Sequence, residues 1–211
     1  NTHPIPEHVA IDIVQSLARA VTGVNRYPDR EFTELRSSLA GYLGHGLSVE
    51  QLWAANGSNE VLQQVLQAFA GPGRSLLSFT PTYSMYPLLA SGTDTEWIAV
   101  ERPADYALTP EGVAEALREH QPDVAILCGP NNPTGTSLDR EVILAAYDAF
   151  DGMLVVDEAY HEFDTERESA VSLLPGRHRL LVSRTMSKAF AFAGVRLGYL
   201  AADAAVVDAL R

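Results

Sequence analysis

Segments with a helical pattern alternate with short apolar segments through most of this chain, and this alternation limits its fold more than any other feature. The apolar segments have the length of strands and lie at residues 76–79, 97–100, 123–128, 153–156 and 180–182. Helical periodicity falls between them, at residues 58–70, 109–120 and 139–150. Apolar strands that alternate with amphipathic helices are typical of a mostly parallel sheet sandwiched by helices. We therefore predict an α/β fold for residues 46–211.

The N-terminal part of the chain has a different pattern. Residues 7–21 and 29–43 both show helical periodicity, and Pro28 lies between them. Proline cannot continue a helix, so we predict two helices joined by a turn at residues 23–28. Residues 1–45 are accordingly assigned to an N-terminal arm with helices.

Composition excludes several classes of partner and site. The formal net charge is −12, which argues against binding to nucleic acid or to an anionic membrane. The only cysteine, Cys128, permits no internal disulfide, and no Cys/His cluster has the spacing of a zinc site. No apolar stretch reaches the roughly 18 residues of a spanning helix and no signal sequence is visible, so we expect a cytoplasmic protein.

Lys188 is unusual because it is the single lysine among 15 basic residues, the other 14 being arginines. A lysine amine can be tuned to react with a carbonyl group, whereas a guanidinium stays protonated and is a poor nucleophile. Chance survival of one lysine in an arginine-rich chain is the alternative explanation, so the residues around Lys188 must decide.

Polar residues follow three of the predicted strands. Asn132 lies in Gly-Pro-Asn-Asn-Pro-Thr-Gly after the strand at 123–128, and Asp157 and Tyr160 follow the strand at 153–156. Lys188 ends Ser-Arg-Thr-Met-Ser-Lys after the strand at 180–182. Taken singly, these motifs also describe an ordinary turn and a helix cap. Ligands of parallel sheets bind beyond the carboxyl ends of the strands, so together the residues predict one site.

These motifs resemble a known family over nearly the whole chain. Asn-Pro-Thr-Gly at 132–135, Asp-Glu-Ala-Tyr at 157–160, Ser-Lys at 187–188 and Gly-Val-Arg-Leu-Gly-Tyr around Arg196 are similar to motifs of the class I/II, fold-type I, pyridoxal-phosphate-dependent aminotransferases. Among these, the histidinol-phosphate aminotransferases are the most similar group. The resemblance implies the large α/β domain of that fold, with a C-terminal small domain absent from this chain.

The resemblance also implies an activity. We expect transamination between histidinol phosphate and 2-oxoglutarate, which gives imidazole acetol phosphate and glutamate in histidine biosynthesis. Two alternatives remain open at this stage: an aromatic amino-acid aminotransferase, and a non-catalytic regulatory module that binds pyridoxal phosphate. The second alternative is disfavoured because no basic helix-turn-helix is present.

Residue roles follow from the resemblance position by position. Lys188 would hold the cofactor covalently and move a proton, and Asp157 would pair with the pyridine nitrogen. Asn132 and Tyr160 would donate hydrogen bonds to the phenolic oxygen, and Tyr83 would stack on the ring. The phosphate would contact Arg196 and the hydroxyl groups of Thr185 and Ser187, and also the backbone N–H groups of Ser58 and Asn59.

Tyr27, in Arg-Tyr-Pro, would reach the phosphate in a neighbouring subunit, which implies a homodimer. The chain departs from the family at its start, where Asn1-Thr-His-Pro replaces a fuller Asn-Glu-Asn-Pro type of stretch. This departure concerns the part of the substrate pocket built by the N-terminal arm.

Overall fold

The computed structural model describes residues 4–211. Within that range the strands are β1 Leu52–Ala55, β2 Ser75–Thr80, β3 Glu96–Glu101, β4 Val124–Cys128, β5 Met153–Asp157, β6 Leu180–Thr185 and β7 Gly198–Ala201. The helices are α1 Glu7–Val21, α2 Thr33–Leu43, α3 Ser58–Phe69, α4 Met85–Gly92, α5 Pro110–His120, α6 Arg140–Ala149 and α7 Ala204–Leu210.

The strands of residues 4–211 form one sheet in the order β1-β7-β6-β5-β4-β2-β3. The pairings from β3 to β6 are parallel, whereas β7 runs antiparallel to both β6 and β1. The predicted α/β fold with a mostly parallel sheet is therefore confirmed. The carboxyl ends of β4, β5 and β6 lie side by side at one edge.

Successive side chains of each strand point to opposite faces of the sheet, and each face has its own core. One core joins Leu127, Val156 and Val182 to side chains of α2, α5 and α6. The other joins Val155 and Leu181 to side chains of α3, α4 and α7. Asp157 follows the alternation of Val155 and therefore lies on the α3 and α4 face.

Several sequence predictions need correction. α2 begins at Thr33 rather than at residue 29, because the Asp29 carboxylate accepts hydrogen bonds from the backbone N–H groups of Glu31 and Thr33 and forms a turn. β6 continues to Thr185 instead of ending at residue 182. Helix α4 and the antiparallel strands β1 and β7 were not predicted. Each of the two strands has only four residues, which show no clear alternation of apolar and polar side chains.

The helix predicted over residues 7–21 is confirmed as α1. It buries none of its residues, although Ile11, Val14, Leu17 and Val21 are apolar. The predicted division of the chain at residues 45 and 46 stays a prediction. No helix within residues 4–211 is long and apolar enough to cross a membrane.

Candidate functional site

A single cavity at the carboxyl edge of the sheet brings together most of the residues singled out from the sequence. Ten of the eleven predicted site residues line it: Ser58, Asn59, Tyr83, Asn132, Asp157, Tyr160, Thr185, Ser187, Lys188 and Arg196. Tyr27 lies outside the cavity and its side chain is fully exposed. Cys128, Ala159 and Ala193 also line the cavity, and no sequence motif singled out these small side chains as site residues.

Asp157 lies at the end of β5 and is only 3% exposed. Its Oδ2 accepts a hydrogen bond of 2.7 Å from the Tyr86 hydroxyl, whereas its Oδ1 has no hydrogen-bond partner within residues 4–211. Burial raises the pKa of this carboxyl from 3.8 to about 6, although the Tyr86 hydrogen bond acts in the opposite direction. Asp157 therefore has one oxygen free for a positively charged or hydrogen-bond-donating ligand.

Tyr86, which sequence reasoning did not select, comes from α4 and is completely buried. Burial and the nearby Asp157 carboxylate raise the pKa of Tyr86 well above 10.0. The phenol therefore stays protonated and donates a hydrogen bond to Asp157. Its ring meets Tyr83 edge to face, with the centroids 5.6 Å apart. The hydroxyl of a buried tyrosine usually has a hydrogen-bond partner. A tyrosine within an apolar segment, as Tyr86 is, was therefore the sequence feature that could have pointed to this residue.

Cys128 lies at the end of β4, beneath the same cavity, and is buried. Burial and the Asp157 carboxylate raise the pKa of its thiol to about 12. The thiol therefore remains protonated at neutral pH, where it cannot act as a nucleophile.

Lys188 lies in the turn that follows β6, next to the segment that follows β5. Its Nζ is 5.3 Å from the centroid of the Tyr160 ring, which is within the range of a cation–π contact. Both side chains are half-buried, so the amine lies beside a phenol and remains open to the cavity.

Asn132 reaches the cavity from a loop that Asn131 holds in shape. The Asn131 amide group donates hydrogen bonds to the Pro81 carbonyl at 3.1 Å and to the Thr134 hydroxyl at 2.8 Å. Asn131 is buried and Asn132 is half-buried at the cavity wall. The two asparagines therefore differ in role: Asn131 stabilises the loop, and Asn132 is the one available to a ligand.

An anion cradle lies at the start of α3. The backbone N–H groups of Ser58 and Asn59 have no hydrogen-bond acceptor in the described part of the chain, as expected in the first turn of a helix. Gly57 precedes them with φ 93°, and a Cβ there would collide with the Arg196 guanidinium. Glycine thus allows a guanidinium to lie against the positive end of a helix, an arrangement suited to an anion.

Arg196 completes this cradle from a strained backbone position. Its φ of 59° and ψ of 53° place a residue other than glycine in the left-handed region, which costs on the order of 1 kcal/mol. Its Nη1 donates to the Ala193 carbonyl at 3.0 Å and lies 3.5 Å from the Ser187 hydroxyl. Gly198, two residues later, allows β7 to approach the backbone of Ser58, since a Cβ there would collide with it.

None of residues 4–45 lines the cavity. Tyr27 comes two residues after the turn at residues 22–25 that follows α1, and Val24 in that turn is also exposed. The segment singled out at the start of the chain lies partly outside the described residues, because residues 1–3 are not among them.

Two known proteins are similar to this chain in sequence over its whole length. Histidinol-phosphate aminotransferase of Paenarthrobacter aurescens (strain TC1) is 60% identical over 215 residues, which cover 100% of this chain and 58% of that protein. The protein of the same name from Thermobifida fusca (strain YX) is 54% identical over 212 residues, with the same coverage of 100% and 58%. This chain therefore spans less than two thirds of the length of these curated relatives.

A solved structure shows the same fold. Histidinol-phosphate aminotransferase from Sinorhizobium meliloti, crystallised in complex with pyridoxal-5'-phosphate, superposes with a TM-score of 0.84 at 24% identity. The superposition covers 93% of this chain and 54% of that one. The sequence family described as aminotransferase class I and II matches residues 1–211, the whole chain. By this match, and with a fold that agrees with it, the chain belongs to the class I and II aminotransferases.

Proposed function

We propose that the full-length protein is a pyridoxal-phosphate-dependent aminotransferase that exchanges the amine of histidinol phosphate with 2-oxoglutarate. The products are imidazole acetol phosphate and glutamate. Membership of the family supports the reaction type, and relatives of 60% and 54% identity that carry the name histidinol-phosphate aminotransferase support the substrate. The proposal concerns the full-length protein because this chain spans 58% of those relatives.

The observation that carries the proposal is the free Oδ1 of Asp157 in the cavity that also contains Lys188. A buried carboxylate without a second partner is unfavourable, and a positively charged ring N–H placed against it would remove that cost. Lys188 supplies the primary amine that an aldehyde-bearing cofactor needs. The donor set therefore fits pyridoxal phosphate at both ends of its ring.

The cradle at the start of α3 fits the phosphate of the same cofactor. Ser58 and Asn59 offer free backbone N–H groups, and Arg196 offers a guanidinium. Thr185 and Ser187 add hydroxyl groups along the same wall. A helix N-terminus and a cation would thus bind a doubly charged phosphate in a chain whose net charge is −12.

When bound, pyridoxal phosphate supplies a carbonyl carbon that amines can join and a ring that accepts electrons from the substrate carbon. Lys188 would hold the cofactor through its amine, and once the substrate amine had displaced it from the cofactor carbon, the freed Lys188 amine would take the proton from the substrate α-carbon. Asp157 would keep the ring nitrogen protonated through Oδ1, while Tyr86 holds its Oδ2 by a hydrogen bond. Asn132 and Tyr160 would donate hydrogen bonds to the phenolic oxygen. Tyr83 would contact a face of the ring.

We also propose that the protein acts as a homodimer in which Tyr27 donates a hydrogen bond to the phosphate in the neighbour's site. Two observations support this proposal. Tyr27 is fully exposed, and the apolar side chains of α1 are left exposed to solvent by residues 4–211. A second copy would cover part of that apolar surface and place Tyr27 near an anion.

Borohydride trapping on the full-length protein tests the attachment of the cofactor. Reduction in the presence of pyridoxal phosphate should leave the pyridoxyl group on the peptide that contains Lys188. Lys188→Arg is the matched control, because it keeps the charge and removes the primary amine. Equal incorporation of the label by this variant would overturn the proposal.

The substrate is tested with an amine-donor panel. The full-length protein should convert 2-oxoglutarate to glutamate faster with histidinol phosphate than with phenylalanine, compared by kcat/KM. A preference for phenylalanine would favour the aromatic aminotransferase alternative and leave the cofactor assignment intact.

A further inference from the structure

A buried network of charges lies behind the candidate site, on the opposite face of the sheet. Arg184 is the central residue of this network and is only 5% exposed. It precedes Thr185 in β6, and Glu158 follows Asp157 at the end of β5. Because strand side chains alternate between faces, Asp157 and Thr185 reach the cavity while Glu158 and Arg184 point away from it. Arg184 therefore does not line the cavity.

Arg184 forms hydrogen bonds with two carboxylates. Its Nε donates to Glu158 Oε2 at 3.0 Å, and its Nη2 lies 2.9 Å from the same oxygen. Its Nη1 donates to Glu162 Oε1 at 3.0 Å. Burial by itself would lower the pKa of Arg184, but the two carboxylates outweigh burial and raise it. The guanidinium is therefore charged and held in one orientation.

The two carboxylates lie on either side of Tyr160 in the chain. Glu158 precedes Tyr160 by two residues, and Glu162 follows it by two in the turn His161–Phe163. The other hydrogen bonds of Glu158 are internal, since Oε2 accepts from the Ser169 hydroxyl and Oε1 from the Ala170 backbone N–H, both at 2.7 Å. One side chain on β6 thus fixes both ends of the segment that presents Tyr160.

Tyr42 of α2 connects the same two segments at the surface. Its hydroxyl donates to Glu162 Oε1 at 3.4 Å, and its ring lies edge to face with Phe190, at 5.7 Å between centroids. Phe190 is two residues beyond Lys188. Two other titratable groups lie near the network. Tyr199 of β7 is the residue opposite Arg184 in the antiparallel register with β6, and Nδ1 of His161 is 3.9 Å from Glu158 Oε1.

We propose that Arg184 is a positioning residue that sets the placement of Tyr160 relative to Lys188. This inference rests on the proposed function, because its consequence concerns the bound cofactor. The burial of Arg184 and Glu158, with Glu162 half-buried beside them, is weak evidence for stability, since desolvation offsets much of the attraction. The charges instead hold the segment after β5, which carries Tyr160, in one position relative to the turn after β6, which carries Lys188. The two meet where Lys188 Nζ is 5.3 Å from the centroid of the Tyr160 ring.

The test is the pH titration of the absorbance band of the lysine-bound cofactor in the full-length protein. A hydrogen bond from Tyr160 to the phenolic oxygen favours its anionic form, so weakening that bond raises the pH midpoint of the band. Arg184→Lys keeps a positive charge but replaces the planar group, whose Nε, Nη1 and Nη2 reach the two carboxylates in fixed directions, with a single flexible ammonium. We expect it to raise the midpoint by about one pH unit, in the direction of Tyr160→Phe.

The matched control is Arg36→Lys. Arg36 is another buried arginine, and its Nε donates to the Leu52 carbonyl at 2.8 Å, outside the cavity. Arg36→Lys should lower the melting temperature, as we also expect of Arg184→Lys, but should leave the pH midpoint of the absorbance band unchanged. Glu162→Gln provides a milder second variant should Arg184→Lys fold poorly, and it should raise the midpoint by a smaller amount.

A double variant decides whether Arg184 acts through Tyr160. Adding Arg184→Lys to Tyr160→Phe should produce no shift beyond that of Tyr160→Phe alone, because both changes affect one hydrogen bond. Wild-type midpoints in Arg184→Lys and Glu162→Gln, or additive shifts in the double variant, would overturn the role of Arg184. Absence of a lysine-bound band in the wild-type protein would instead remove the proposed function, and this inference with it.

Discussion

The carboxyl edge of the sheet and the N-terminal helix α1 depart from the usual distribution of residues in opposite ways. At the edge, Asp157, Glu158 and Arg184 are charged and buried. In α1, Val14 and Leu17 are apolar and exposed, and no residue of the helix is buried. Charged residues are rarely buried without partners, and contiguous exposed apolar surface usually marks an interaction site.

Each region lacks a different kind of partner. Glu158 and Arg184 form an ion pair, so within residues 4–211 the unpaired buried acceptor among these three side chains is Asp157 Oδ1. A small cationic ligand would pair with that atom. The exposed residues of α1 are apolar, so their burial requires another apolar surface. A cofactor could supply the cation, and a second protein chain could supply the apolar surface.

The largest effect is expected at Lys188. Lys188→Ala removes both the attachment point and the base, so kcat of the full-length protein should fall by at least about 10⁴-fold. Stopped-flow or coupled glutamate assays measure the loss. Retention of more than a small percentage of wild-type kcat would mean that the carboxyl edge is not the reactive region.

Asp157→Asn should reduce kcat by about 10²- to 10³-fold, because a neutral amide does not keep the ring nitrogen protonated. Steady-state kinetics at saturating cofactor measure this effect. A kcat close to wild type would break the link between the unpaired buried oxygen and the function.

The same substitution should change the pH dependence of stability in protein prepared without cofactor. The folded-state pKa of Asp157, about 6, exceeds the ordinary 3.8, so its contribution to stability is full below about pH 4 and is lost as pH rises through 6. Asp157→Asn removes this loss, which amounts to up to about 3 kcal/mol. Its melting temperature relative to wild type should therefore rise between pH 4 and pH 7; a constant difference would contradict the raised pKa.

Tyr86→Phe should weaken cofactor binding by about 10- to 100-fold near pH 6, since a hydrogen bond to a charged group contributes roughly 1.5–3 kcal/mol. The hydrogen bond lowers the pKa of Asp157, so its loss raises that pKa further, and the defect should shrink at pH 8. Tyr199→Phe is a matched control, because Tyr199 is also completely buried and its hydroxyl has no partner within residues 4–211. Fluorescence titrations at both pH values measure the affinities, and equal defects in the two variants would argue against a specific role.

The smallest effect is expected in the N-terminal region. Tyr27→Phe should weaken cofactor binding by about tenfold, the lower end for loss of one hydrogen bond to a phosphate. Co-expression of full-length Tyr27→Ala with full-length Lys188→Ala should restore part of the activity, because a mixed dimer contains one site with both residues intact. An active monomer, or no rescue in mixed dimers shown to form, would contradict the shared site.

Much of the site could be predicted because its residues occur in short local motifs. Asn132, Asp157 and Lys188 follow three consecutive strands, and parallel strands bring their carboxyl ends to one edge whatever the details of packing. Tyr86 could not be predicted in the same way. It is 71 residues from Asp157 in the chain, and the two meet only because α4 packs against the end of β5. The roles assigned to the motif residues stay predictions until the variants are measured.

The α/β class, the positions of most strands and helices, and the residue types gathered at the carboxyl edge could be read from the sequence alone. These properties follow from periodicity and local chemistry, which act over a few residues. Three features became apparent only in the folded chain: Oδ1 of Asp157 has no hydrogen-bond partner within residues 4–211, Arg184 binds both carboxylates beside Tyr160, and α1 leaves its apolar residues exposed. Burial and pairing depend on contacts between segments far apart in the chain, and no local pattern records them.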